Sequence, residues 1–319
     1  MRRRLLVPIL LLLAVPLWAG NIPATFYVDS VGGNDNSSIN TGLATDNAWK
    51  TVAQVNAFSR QNIALYSEKL DNTTGWTRYT APTFIADNAI APDGTLTAER
   101  ITQSANQEYH GIYQAISWTA VPYTVSIYAK KGTINYILMT YYDGNSFHTW
   151  FDINSGAAGT TAAGVTTTIS SAPNGYYRCS ITFTPSAGDG NVKISGRAAN
   201  NDATPFGDTG NYIYIWGADV KVGGLSPYIP TVASPVTASF QPGDSILFKR
   251  GQSWAETLTI PSSGTSGAHI TYGAYGIGYA PRITGGVDMN GQTNVDVSFT
   301  DLWKVPSFPQ FPNFPAWGR

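Results

Sequence analysis

The chain has 319 residues, a net charge of −1, 12% charged and 43% hydrophobic residues, and is rich in glycine and tyrosine. Such a neutral, turn-rich β composition offers no basic stripe for nucleic acid beyond the arginines at the N-terminus, and its apolar content and length suit two packed cores. A single cysteine, Cys179, excludes an intramolecular disulfide.

Residues 1–20 read as a secretory signal: Arg2, Arg3 and Arg4, an apolar stretch from Leu5 to Trp18, then Ala19-Gly20. Pro8 and Pro16 break the stretch, which is shorter than the ~20 residues of a membrane span. The expectation is export to the extracellular or periplasmic side with no stable membrane span. A cut after Ala19 leaves Leu17 where a small residue is usual, so the cleavage position stays open.

Residues 21–61 begin with the strand-like Phe26-Tyr27-Val28-Asp29 and the turn-rich Gly32-Gly33-Asn34-Asp35-Asn36. Val52, Val55 and Phe58 then recur at the three-residue spacing of a short amphipathic helix. Residues 62–236 read as an all-β domain. Its expected strands include Ile63 to Ser67, Tyr123 to Lys130, Tyr136 to Tyr142, Phe147 to Asp152, Val165 to Ile169, Tyr176 to Thr184, Val192 to Arg197 and Tyr212 to Lys221. Each is bounded by Gly, Asn, Asp or Pro, with no helical period between them, which predicts a β-sandwich. Alternation places Cys179 beside Tyr177, Ile181 and Phe183 on one face, a buried and inert thiol. In residues 237–319, Ser245 to Phe248, Leu258 to Ile260 and Ile270 to Tyr272 are brief apolar runs between turns, as in the rungs of a solenoid. Beyond Gly286 the sequence repeats Phe-Pro instead of turn-bounded strands and reads as a coil interrupted partway.

Joined together, the outer segments resemble the opening coils of secreted right-handed parallel β-helix proteins, a family with many polysaccharide lyases and hydrolases. The carriers are Phe26 to Asp29, Trp49 to Asn56, Phe240 to Gly251, Leu258 to Ile260 and Ile270 to Gly276. In that family the short helix caps the open end of the solenoid, where apolar surface and unpaired backbone groups would otherwise face water. The middle segment resembles jelly-roll modules related to carbohydrate-binding modules and found in extracellular and phage-tail proteins. Leu65-Tyr66-Ser67-Glu68 with Trp76, Ala91 to Thr95, Tyr123 to Lys130, Asn174 to Cys179, Tyr214 to Ala218 and Ser226 to Thr231 carry this resemblance. The implied fold is all-β, a jelly-roll β-sandwich inserted into the capping and first coils of a right-handed parallel β-helix. Gln61 and Ala233 to Ala238 are the expected junctions.

Glycans are held by aromatic rings stacked on their apolar faces and by polar groups bonding their hydroxyls. A three-residue loop at Asp143-Gly144-Asn145 pairs Tyr142 with Ser146, Thr140 with His148, Leu138 with Trp150 and Tyr136 with Asp152. The other face then carries Ile137, Met139, Tyr141, Phe147, Thr149 and Phe151, the more apolar set and the expected core. Tyr136, Tyr142, His148, Trp150 and Asp152 therefore form the candidate glycan platform. The plainer reading is that Trp150 and the tyrosines pack beneath loops. Arg178 has two readings, a member of the platform or the partner of a carboxylate. Trp76 reads as a packing anchor, and the face bearing Trp216 is undecided between core and surface.

Jelly-roll binding modules often hold a structural calcium near the first and last strands, which makes Glu68 and Asp219, with Asp71 nearby, the candidate ligands. A salt bridge or solvated turn is the competing fate of each. No catalytic residues are assigned: neither a lyase base beside a neutralised uronate nor a hydrolase carboxylate pair assembles from these residues. His269 leads a strand in the family pattern, His110 precedes Gly111-Ile112-Tyr113, and the three histidines lack metal-ligand spacing. The leading expectation is a secreted glycan-binding protein, or the N-terminal part of a polysaccharide-degrading β-helix enzyme. A non-catalytic adhesin or scaffold is the alternative, and a phage tail-spike element is disfavoured by the export signal.

Overall fold

The computed structural model describes residues 22–36, 41–79, 82–103, 111–202, 210–285 and 297–298. The signal-like segment, His110 and the Phe-Pro tail lie outside the described residues. The chain opens with β1 (Thr25–Val28), α1 (Val52–Ala57) and β2 (Arg60–Asn62). Thr51 caps the helix, its hydroxyl accepting the Gln54 backbone N–H at 3.0 Å, and Val52 and Val55 face inward as their spacing requires.

Twelve strands follow: β3 (Thr77–Tyr79), β4 (Thr83–Ala89), β5 (Ala98–Thr102), β6 (Gly111–Trp118), β7 (Tyr123–Lys131), β8 (Tyr136–Tyr142), β9 (Ser146–Asp152), β10 (Ala157–Ala158), β11 (Thr166–Ala172), β12 (Tyr176–Phe183), β13 (Gly188–Arg197) and β14 (Tyr212–Val222). They form two six-stranded antiparallel sheets of order β10-β9-β8-β13-β6-β3 and β11-β12-β7-β14-β5-β4. The result is a jelly-roll sandwich. Its core is filled from both sheets by Ile112, Ile127, Ile137, Met139, Phe151, Cys179, Ile194 and Ile215. Burial pushes the Cys179 thiol well above its usual range, so it is the inert core thiol that alternation predicts.

Two departures from the expected strands have local causes. Ile63 to Ser67 is a bent segment in which Tyr66 adopts φ 49°, and it is held by Gln114. The buried Gln114 amide accepts from Leu65 N–H and donates to the carbonyls of Leu65 and Gly75, so a polar side chain interrupts the apolar alternation of β6. The edge strand β4 is almost wholly exposed and needs no apolar face, which is why no pattern announced it. Trp76 is the packing anchor expected of it, buried with its Nε1–H donating to the Leu65 carbonyl.

The chain leaves and rejoins the sandwich at one place. β15 (Val236–Ala238) pairs antiparallel with β2, setting Val236 opposite Asn62. The buried Asn62 amide uses its full capacity there: Nδ2 donates to Ala218 and Ile229 carbonyls, and Oδ1 accepts from Ala64 and Val220 N–H. Beyond it lie β16 (Ser245–Lys249), β17 (Ser253–Trp254), β18 (Thr271–Tyr275), β19 (Arg282–Ile283) and β20 (Val297–Ser298).

β1, β16 and β18 form a parallel sheet in which Phe26, Ile246 and Tyr272 share one row and Val28, Phe248 and Ala274 another. The first row meets a pile of rings. Phe26 stacks on Trp49 at 4.9 Å and packs against Phe58 and Phe240, in a cluster separate from the sandwich core. β17 and β19 also pair in parallel. Among the described residues these strands do not close into a solenoid.

Asp29 ties the parallel strands together, accepting from Lys249 Nζ, Gln252 Nε2 and the Val31 and Gly32 N–H groups. Burial alone would raise its pKa, but these donors outweigh it and hold the carboxyl well below the usual range. Gly33 sits where a Cβ would lie 2.2 Å from the Trp49 carbonyl oxygen, so only glycine fits that turn.

Candidate functional site

The β8–β9 hairpin has the register its three-residue loop dictates, with Thr140 opposite His148, Leu138 opposite Trp150 and Tyr136 opposite Asp152. Ile137, Met139, Tyr141 and Phe151 enter the core and Phe147 packs against it, so the alternate residues face outward. On the other side of β8 lies β13, where Lys193 is opposite Thr140, Ser195 opposite Leu138 and Arg197 opposite Tyr136. β6 and β3 extend the same surface with Tyr113 and Tyr79.

This outer face holds a depression of about 180 Å³ lined by Tyr79, Leu138, Thr140, His148, Lys193 and Ser195, with Arg197 at its edge. Gly111 keeps the floor flat, since a Cβ there would lie 2.8 Å from the Ser195 Cβ. Lys193 stands between two rings, its Nζ 5.6 Å from the centre of Tyr79 and 5.7 Å from that of Tyr142. His148 is exposed, and its Nδ1 bonds Thr140 Oγ1 at 2.9 Å. Partial burial, followed by the charges of Arg197 and Lys193, lowers the His148 pKa and keeps the ring neutral near neutral pH. The depression thus offers aromatic edges, hydroxyls, an imidazole and an ammonium to whatever enters.

The platform residues divide. His148, Tyr136, Tyr142 and Asp152 share the outer face with some exposure. Asp152 is engaged locally, accepting from Asn154 and Ser155 N–H and from Ser155 Oγ. Trp150 is only 6% exposed, which corrects the expectation of an open stacking ring. The chain from Ala157 to Thr160 runs back along β9, exchanging backbone bonds between Trp150 and Gly159 and Thr160. Arg178 is also corrected. It belongs to β12 in the opposite sheet, is buried, and pairs with Asp219 at 2.9 Å while its Nε and Nη2 reach Ser126 Oγ.

Asp219 and Glu68, the candidate calcium ligands, each have partners within the protein, and Asp219 takes the salt-bridge fate that is its competing reading. A β-bulge between Trp216 and Asp219, with Gly217 at φ 66°, turns Asp219 to the outer side of its sheet. There it accepts from both Arg178 and Lys221, the latter at 2.7 Å. Both cations meet Oδ2, whereas Oδ1 is buried without a hydrogen-bond partner among the described residues. Burial pushes Asp219 up and Lys221 down to about 8, against their mutual attraction. Glu68 instead accepts from Tyr228 Oη at 3.3 Å, and burial, then Asp93, raises it to about 7. Among the described residues no group of three or more His, Cys, Asp or Glu side chains is gathered for a metal. Trp216 resolves as buried, packed against Tyr128 and Tyr228 in a small cluster of its own.

Lys193, Arg197, Ser195 and Tyr79 were not singled out in the sequence. The first three were legible in principle, because Val192 and Ile194 mark the core face of β13 and alternation puts the others outside. Tyr79 gave no such signal, standing in a three-residue strand exposed at every position.

No family model matches the chain, and no curated protein matches it. Among solved structures it is similar to the enzymatically active domain of bacteriophage CBA120 tailspike protein 4, at 11% identity and a TM-score of 0.33, over 50% of this chain and 21% of that one. It is similar to the CBM22-1 and GH10 modules of Clostridium thermocellum xylanase 10B, at 12% identity and 0.31, over 53% of this chain and 29% of that one. A third is the CBM22-1 xylan-binding domain of a Paenibacillus barcinonensis xylanase, at 10% identity and 0.29, over 52% of this chain and 95% of that one. The chain thus spans less than a third of the length of the first two structures.

Proposed function

We propose that the sandwich is a glycan-binding module, exported by its arginine-led N-terminal segment and carried on the first coils of a parallel β-helix. The observation that carries the binding role is the open depression of the β9-β8-β13-β6-β3 face. Tyr79 lines it with a ring and Tyr142 stands on the other side of Lys193, while Thr140, His148 and Ser195 supply hydroxyl and imidazole groups. A pyranose presents this same mixture in reverse, apolar C–H faces with hydroxyls around the rim. The in-register rows of β1, β16 and β18 support the β-helix reading of the flanks, since stacked like positions are how parallel coils build a core. Among the described residues no helix is long and apolar enough to cross a membrane.

The test is a glycan array probed with the whole chain, followed by titration of Tyr79→Ala and Tyr142→Ala. Each loss of a stacked ring should weaken binding by about 0.5–1.5 kcal/mol, roughly two- to tenfold, with the melting temperature unchanged. A chain that binds nothing on a broad array, or variants with unaltered affinity, would leave the sandwich as a scaffold.

A further inference from the structure

Lys193 is the residue of the outer face whose placement a neutral sugar does not explain. Its ammonium makes no ion pair and no hydrogen bond among the described residues, whereas two carboxylates of the same face are bonded. Asp152 is bonded by Ser155 and the Asn154 N–H, and Asp189 by Ser117. The two rings that flank Lys193 hold the ammonium over the depression through the attraction of a cation for aromatic faces. Among the described lining residues there is no carboxylate, whereas Lys193, Arg197 and His148 all border it. A ligand entering here strips water from an ammonium, and only a ligand that brings a negative group returns what is lost.

We propose that the depression takes an anionic sugar residue, its oxyanion group held by Lys193 while the ring lies against Tyr79 or Tyr142 and a hydroxyl meets His148 Nε2. This rests on the glycan-binding reading and narrows it to a substrate class. Neutral polysaccharides of the same backbone are discriminated against, because they bury the ammonium uncompensated. The shared chemistry is a singly charged oxyanion on a pyranose, supplied either by a uronate carboxylate or by a sulfate ester.

The experiment titrates the full chain with oligogalacturonate and with its fully methyl-esterified form, which removes the charge and little else, and with dextran sulfate against dextran. An array of uronate, sulfated and neutral glycans covers other backbones. The expected result is at least about tenfold tighter binding to the charged member of a pair, weakening as salt rises from ~50 to ~500 mM. Lys193→Gln should lose about tenfold on that member and Lys193→Arg should retain it, both with wild-type melting temperatures, because the side chain is bonded to nothing that folds the sheet. Preference for uronates or for sulfates identifies the group and supports the proposal either way. Tight binding confined to neutral glycans would overturn it while leaving the glycan-binding module standing. An unchanged Lys193→Gln would overturn it as well, and binding to no glycan of either kind would remove both readings.

Discussion

Replacing Trp150 separates a stacking ring from a packed one. The side chain is 6% exposed, its backbone is engaged on both sides by β8 and by the returning chain at Gly159 and Thr160, and its indole lies 5.9 Å from the His148 ring. Trp150→Ala should therefore cost about 3–5 kcal/mol, the range for deleting a large buried aromatic. At roughly 2–4 °C per kcal/mol for a domain of this size, the midpoint should fall by about 6–20 °C in calorimetry. Trp150→Phe provides the control. The indole Nε1 is buried without a hydrogen-bond partner, so phenylalanine loses some contact but relieves an unpaired donor. The two effects offset, and this variant should lose under about 1.5 kcal/mol. A Trp150→Ala protein that melts at the wild-type temperature, or a Trp150→Phe protein as unstable as the alanine variant, would refute the reasoning.

Asp219→Asn leaves Arg178 and Lys221 buried without their anion, so chemical denaturation should show a loss of about 3–5 kcal/mol. Glu99 is fully buried; desolvation, then the nearby charge of Asp71, raises it from 4.5 to about 8. Because the folded form keeps a proton that the unfolded chain has released, stability should decline as pH rises through that interval, and Glu99→Gln should flatten the decline in melts taken across it. Residues 60–238 expressed alone should unfold in one cooperative step, since β2 and β15 close the root and the sandwich core is separate from the aromatic pile; a broad, uncooperative melt would count against an autonomous domain.

What the sequence disclosed and what it concealed follow from the range of the interactions. The β8–β9 register was readable because a short loop sets it and because the two faces differ sharply in apolar content. The helix at Val52 and the anchor Trp76 were readable for the same local reason. Trp150 was misplaced because its cover comes from a segment that turns back at Gly156, whose path no alternation in β9 foretells. Arg178 entered the platform list because alternation gives the side of a sheet but not which of the two sheets a strand joins; the structure takes its carboxylate-pairing reading, and the bulge at Gly217 is what sets Asp219 on the outer side of β14 to meet it. A one-residue irregularity of this kind reverses parity, the quantity on which such arguments depend.

The two outer faces of the sandwich differ in how far they are covered. The β12-β7-β14 face is closed: Tyr66 and Ser67 N–H groups bond Val232 and Thr231 carbonyls, Ser67 Oγ meets Tyr228 Oη at 2.7 Å, and Trp216 and Tyr228 are buried beneath. Asp219 is spent on Arg178 and Lys221, and Arg60 on Asp244 at the neighbouring parallel sheet. Closing that face stabilises the junction and leaves little for a ligand to bond. The opposite face keeps rings at its border, a histidine nitrogen and a lysine with no internal partner. Unpaired polar groups held in place by a rigid sheet are preorganised for an outside partner, which is what the proposed glycan-binding role asks of this face.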